Sequence, residues 1–170
     1  DFELVLKMNG FDEYTVRNSK KPKYGIFRTG ADNENKLLVD TFNDIVNMKG
    51  KNIKVIIGSP AMKEGISLKN TREVHLLDPY WNNSRTNQIV GRAIRFCSHV
   101  QLAPSARHVQ VYHYVTHALP TKQRTVDQHV MKMALNKQQL IDQFENLLYK
   151  ASADCRIFHN VNGLKAEDCY

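Results

Sequence analysis

The chain has 170 residues, 42% apolar and 24% charged, which fits one ordinary globular domain and leaves two full domains cramped. No apolar run reaches membrane-spanning length and the first residues lack a signal's basic segment; three widely spaced cysteines exclude a disulfide scaffold, so reduced thiols in an intracellular setting are expected. The net charge of +7 is uneven: residues 51–100 hold 8 basic and 3 acidic side chains while the first fifty balance, which suits a polyanion partner or a solvated basic surface.

Residues 2–14 place Leu4, Val5, Met8 and Phe11 on one helical face, with Asn9-Gly10 as the stop. Residues 18–23 read as a polar loop and 24–28 as a short strand ending at Thr29-Gly30. Asp32 or Asn33 can cap a helix over 34–48, whose apolar set is Leu37, Leu38, Phe42, Ile45 and Val46. Residues 49–52 form a turn, and 53–57 a buried parallel strand that stops at Gly58-Ser59-Pro60. A strand over 74–77 ends at Asp78-Pro79, and Ser84 caps a helix reaching about Phe96. A strand over 109–115 follows. Thr125 then starts a long helix to about Lys150, with Met131, Leu135, Leu140, Ile141, Phe144 and Leu147-Leu148 expected to pack. Strands alternating with helices predict an α/β domain with a mainly parallel sheet. Ligands in such sheets sit beyond the carboxyl ends of the strands.

Two segments carry chemistry. In Gly58-Ser-Pro-Ala-Met-Lys-Glu-Gly-Ile-Ser-Leu68, a buried strand feeds a loop with a hydroxyl and a glycine, which can hold phosphate or ribose oxygens or can be a plain turn. In Gln88-Ile-Val-Gly-Arg-Ala-Ile-Arg95, Arg92 and Arg95 share a helical face with Gln88, and Gly91 leaves room for close approach. Two rigid guanidinium forks suit a phosphate chain, or they belong to an ordinary surface helix.

In this order and spacing the two segments resemble motifs V and VI of the second RecA-like lobe of superfamily 2 helicases and translocases, over nearly the whole chain. Glu64-Gly-Ile-Ser-Leu68, Asp78-x-x-Trp81-Asn82, Thr125-Val-Asp, Gly30 and Phe42-Asn43 are similar to the Swi/Snf-type branch. Leu77-Asp-Pro-Tyr-Trp-Asn82 and Gly91-Arg-Ala-Ile-Arg-Phe-Cys-Ser-His99 resemble transcription ATPases of large cytoplasmic DNA viruses, of the nucleoside triphosphatase I and early-transcription-factor small-subunit type.

The resemblance implies a RecA-like (P-loop NTPase-type) helicase C-terminal lobe over residues 1–125, with 126–170 a helix and tail packing on or extending it. It implies that Arg92 and Arg95 act as arginine fingers on ATP. It places Gln88, Gly65 and Ser67 near the nucleotide, and Ser59 and Lys63 on the nucleic-acid backbone. Many relatives have Asp where Ser67 stands. ATP with Mg2+ would be bound mainly by an upstream RecA-like lobe of the same polypeptide, since no Walker loop or magnesium box occurs here. The isolated chain is then expected not to hydrolyse ATP. It is also expected to be cut from a longer protein, without the lobe's usual opening strand. The implied partners are duplex DNA, with RNA as the alternative, and viral RNA polymerase or transcription factor subunits; the implied setting is the virion and host cytoplasm, with no membrane.

Two other readings stay open: a non-enzymatic nucleic-acid or polymerase-binding module, and a strand-separating helicase of another branch. Cys97-Ser-His99 lacks zinc-ligand spacing, so no metal site is expected and the cysteines read as thiols. Trp81 reads as packing, with base stacking as the sharper alternative.

Overall fold

In the computed structural model, which describes residues 2–15, 19–59, 62, 66–118, 123–161 and 169, three strands pair in parallel. They are β1 (Asp12–Glu13), β2 (Lys23–Phe27) and β3 (Val55–Gly58), in that spatial order, with Tyr24 opposite Val55 and Phe27 opposite Gly58. The chain divides into two compact units, residues 1–74 with 88–112 and residues 75–87 with 113–170.

The first unit builds its core on β2, where Tyr24 and Phe27 are buried along with Leu6, Leu38 and Ile53. Gly25 matters here because a Cβ would run into Leu38 Cδ1, so its absence lets the following helix settle on the strand. That helix, α2 (Asp32–Asn43), buries Leu38 but leaves Leu37 59% exposed, and Ile45 and Val46, expected on its face, lie beyond its end and are exposed. It is shorter than predicted and lacks the Asp32 or Asn33 cap: its N-cap is Ala31, with no side-chain bond. Asp44 stops it in extended backbone, and its Oδ1 accepts from Val46 N–H to start a 3-10 turn over Ile45–Asn47. Buried Asn47 then accepts from the N–H groups of Asn52 and Ile53, steering the chain into β3. Helix α1 (Phe2–Met8) also departs from expectation, because it buries Leu6 while Leu4, Val5 and Met8 are exposed. It ends, as the sequence predicts, at Asn9-Gly10, where Gly10 takes φ +82.

Strands β4 (Glu73–Leu76) and β5 (Gln110–His113) form a second ladder. Gln110 N–H donates to Arg72 O at 2.9 Å and Tyr114 N–H to Leu76 O at 3.0 Å, so both run the same way. Between them lies α3 (Asn83–Ala93), capped by Asn82 Oδ1 on Ser84 N–H rather than by Ser84 itself.

The second unit is dominated by α4 (Val126–Ala151), which opens with a full capping box between Thr125 and Gln128, at the predicted start. Asp127 Oδ2 accepts from Thr116 N–H, and the Thr116 side chain first, with this backbone bond, holds its carboxyl below the ordinary 3.8. The packing expected of α4 is not what the structure shows. Ala134 is its buried residue, whereas Leu140, Phe144, Leu147 and Leu148 are exposed. Trp81 is 46% exposed, and Lys137 Nζ sits over its ring at 4.0 Å from the centroid. A short α5 (Ala153–Phe158) follows. The expectation of reduced thiols is also overturned for two cysteines. Buried Cys155 is disulfide-bonded to Cys169, with Cα atoms 5.8 Å apart, a pairing across 14 positions that spacing in the sequence did not announce; Cys97 is free and exposed. Among the described residues no helix is long and apolar enough to cross a membrane, and no cluster of His, Cys, Asp and Glu could hold a metal ion.

Candidate functional site

Strand β3 delivers its last residue, Gly58, to the carboxyl end of the sheet, and exposed Ser59 follows directly. A Cβ on Gly58 would meet the methyl end of Met62, so the glycine lets the loop fold back onto the strand end. Gly65 and Lys63 lie outside the described residues, so the geometry of the candidate site is carried by Ser59, Met62 and residues 66–71.

The arginines approach this loop from α3. Gln88 and Gly91 are exposed on it, and Gln88 stands one turn before half-buried Arg92. Arg92 donates from Nη1 to Met62 O at 2.6 Å. Arg95 does not share the helix as predicted, because α3 ends at Ala93. The end is set by Ser98, whose buried Oγ accepts from Arg95 N–H and lies 3.2 Å from Ala93 O, and by Cys97 in the left-handed region at φ 60. Even so, Arg95 Nη1 donates to Ser67 Oγ at 2.7 Å. Both guanidinium groups therefore point into the same loop. Ser67 is engaged by Arg95, which is a protein contact where the resemblance implied a nucleotide one.

Backbone bonds stitch the two segments together. Leu68 N–H donates to Arg92 O at 2.9 Å and Asn70 N–H to Ser98 O at 3.0 Å. Asn43, at the end of α2, clamps the same stretch with both amide atoms: Nδ2 donates to Ser67 O at 2.8 Å and Oδ1 accepts from Lys69 N–H at 2.7 Å. His99 Nε2 lies 2.7 Å from Thr71 O. Sequence reasoning quoted Asn43 and His99 only as parts of a pattern. The signal for Asn43 was an amide at a helix end, a side chain able both to donate to and to accept from backbone. His99 had no such local signal.

Among the described residues neither Arg92 nor Arg95 forms an ion pair, and each guanidinium is permanently charged. Guanidinium forks beside hydroxyls form a donor set for phosphate oxygens. A divalent cation would need acceptor oxygens that Gln88, Arg92, Arg95 and Ser59 do not concentrate.

An α/β lobe with parallel strands, in which β3 empties into a loop contacted by two arginines, places its candidate site at the carboxyl end of the sheet. Residues 13–97 match the helicase conserved C-terminal domain, and the chain belongs to that family, whose fold is RecA-like. It is 40% identical over 162 residues to a protein named as an ATP-dependent RNA helicase of Acanthamoeba polyphaga mimivirus, covering 95% of this chain and 28% of that one. It is 35% identical to a helicase of Invertebrate iridescent virus 3, over 91% of this chain and 16% of the other. It is 31% identical to the termination factor NPH-I homolog of African swine fever virus, over 90% of this chain and 24% of the other. The chain thus spans less than a third of the length of the relatives it matches.

Proposed function

We propose that this chain is the C-terminal motor lobe of a nucleic-acid-dependent ATPase that translocates on duplex DNA in support of viral transcription. Residues 1–125 form the lobe and 126–170 extend it. ATP and its Mg2+ bind against an upstream RecA-like lobe of the same polypeptide. Arg92 and Arg95 meet the γ-phosphate there and stabilise the charge that develops during transfer, so the chain alone does not turn over ATP. Gln88 supports the same lobe interface, with Gly65 and Ser67 close behind it. Ser59 and Lys63 hold the nucleic-acid backbone, which carries no sequence information and so suits a motor that steps along any sequence. Viral RNA polymerase or transcription factor subunits are the partners, in the virion and host cytoplasm.

One observation carries this reading: Arg92 and Arg95, separated by the end of a helix, both converge on the loop that leaves β3. Any movement of that loop moves the arginines, which is the coupling a motor needs. The test is nucleic-acid-stimulated ATP turnover in the full-length protein, comparing wild type with Arg92→Ala and Arg95→Ala. Losses of about 10³-fold with ATP binding retained are expected of arginine fingers. Undiminished turnover in both would leave a binding module as the better reading.

The printed name of the mimivirus relative favours a second reading, a strand-separating RNA helicase. A duplex-unwinding assay on RNA and DNA, set beside a translocation assay, decides between them.

A further inference from the structure

Ser98 and His99 form a connected unit directly behind Arg95. Ser98 is 6% exposed, and its Oγ accepts from Arg95 N–H at 3.2 Å. The same oxygen is 2.8 Å from His99 Nδ1 and 3.2 Å from Ala93 O. His99 Nε2 is 2.7 Å from Thr71 O. A carbonyl only accepts, so His99 donates from Nε2, and in the neutral ring Nδ1 is left to accept the Ser98 hydroxyl. The result is a chain of contacts, Thr71 O to His99 to Ser98 to Arg95 N–H, running from the exit of the loop to the backbone of the arginine. Asn70 N–H on Ser98 O closes the loop of contacts from the other side.

This unit replaces what the helix would have supplied. Arg95 lies past the last residue of α3, so helical geometry does not set its direction. Its backbone is held instead by Ser98, and Ser98 is oriented by His99. We propose that His99, acting through Ser98, is a positioning residue that sets where Arg95 presents its guanidinium; this rests on the arginine reading above. The imidazole touches no reacting atom. It fixes the turn on which Arg95 sits, relative to a backbone carbonyl four residues after Ser67.

The experiment uses the full-length protein and four variants: Arg95→Ala, His99→Ala, His99→Gln and His99→Asn. Turnover with saturating DNA, the KM for ATP and the Tm are measured for each. Gln places its Nε2 near the position of the imidazole Nε2 and can still donate to Thr71 O; Asn is too short to reach it. His99→Ala is expected to lower kcat roughly 10- to 100-fold with the ATP KM unchanged, as a misplaced catalytic group does. His99→Gln is expected to recover most of that loss and His99→Asn little of it. The comparison of Gln with Asn at matched Tm keeps the test decisive even if the alanine variant folds poorly. If Arg95→Ala is impaired while His99→Ala matches wild type, or if Gln and Asn behave alike, the positioning role is overturned and the arginine reading stands. If Arg95→Ala itself keeps full turnover, the arginine reading has failed, and the role of His99 falls with it.

Discussion

Arg95 reaches Ser67 across 28 residues of sequence, with Nη1 donating to Oγ at 2.7 Å. Arg92 does the same with Met62 O across 30 residues. The loop after β3 and the segment that ends α3 therefore form one hydrogen-bonded assembly, with Leu68 N–H on Arg92 O between the two side-chain contacts. Among the described residues each guanidinium is tethered by a neutral acceptor, a carbonyl for Arg92 and a hydroxyl for Arg95, and not by a carboxylate.

Asn43 is expected to be structural for this assembly. Its amide makes two bonds to the backbone on either side of Leu68, and neither atom can be replaced by a carboxylate without losing the donor. Asn43→Ala should destabilise the fold by about 1–3 kcal/mol, since partly buried backbone groups lose partners. Asn43→Asp should fall at least as far, because Ser67 O then faces an acceptor. Urea denaturation of the three proteins measures this.

Gly91 should separate stability from activity. It lies inside α3, and a Cβ there meets no atom within 4 Å. Gly91→Ala should stabilise the lobe by about 0.5–1 kcal/mol through helix propensity alone. On the proposed function, in which the upstream lobe approaches this face, turnover in the full-length protein should nevertheless fall. Equal or higher turnover together with the gain in Tm would mean that no close approach occurs at this face.

Gly25→Ala has the opposite signature. The added methyl collides with Leu38, which is 1% exposed and has no room to retreat. A loss of roughly 1–3 kcal/mol is expected from overpacking. Leu38→Val in the same chain should recover part of it, and a double-mutant cycle by denaturation gives the coupling.

Acid stability should depend on Asp127. Bonds from Thr116 hold its folded carboxyl below the ordinary 3.8. A depressed value stabilises the fold above the unfolded pKa, and that contribution disappears as pH falls through the folded one. Wild type should therefore lose stability relative to Asp127→Asn only below about pH 4. Parallel stability curves from pH 6 to pH 2 would remove this assignment.

Reduction should weaken the second unit. The Cys155–Cys169 bond spans a sequence separation of 14 and ties the chain end to a fully buried sulfur at α5. In the chain-entropy account a loop of this size is worth about 3 kcal/mol. A reductant, or Cys169→Ser, should lower the unfolding midpoint of residues 113–170 and leave that of the β1-β2-β3 unit unchanged, which hydrogen exchange resolves region by region.

Period and punctuation were enough to predict the parallel α/β arrangement. The strand predicted at 24–28 is Lys23–Phe27, and the long helix begins at Thr125 as its cap and Gln128 announce. Those signals are local, set by β-branched runs, capping side chains and glycine stops. The spacing of Gln88, Gly91, Arg92 and Arg95 carried the family likeness for the same reason, since it lies within a dozen residues. Which apolar residues are buried was not local. Leu6 is covered and Leu4, Val5 and Met8 are not, because burial depends on what the rest of the chain brings to each face. Helix ends at Asp44 and Ala93 were likewise decided by contacts formed only on folding, Asp44 with its own turn and Ser98 with Ala93 and Arg95. The disulfide needed two cysteines brought within 5.8 Å at their Cα atoms, which composition could not report. Sequence by itself determined the class of lobe and named the arginines. Tertiary structure alone decided that both arginines close on one loop, because that contact joins residues about thirty positions apart and exists only when the segment carrying Arg92 and Arg95 folds against the loop after β3, within the first unit.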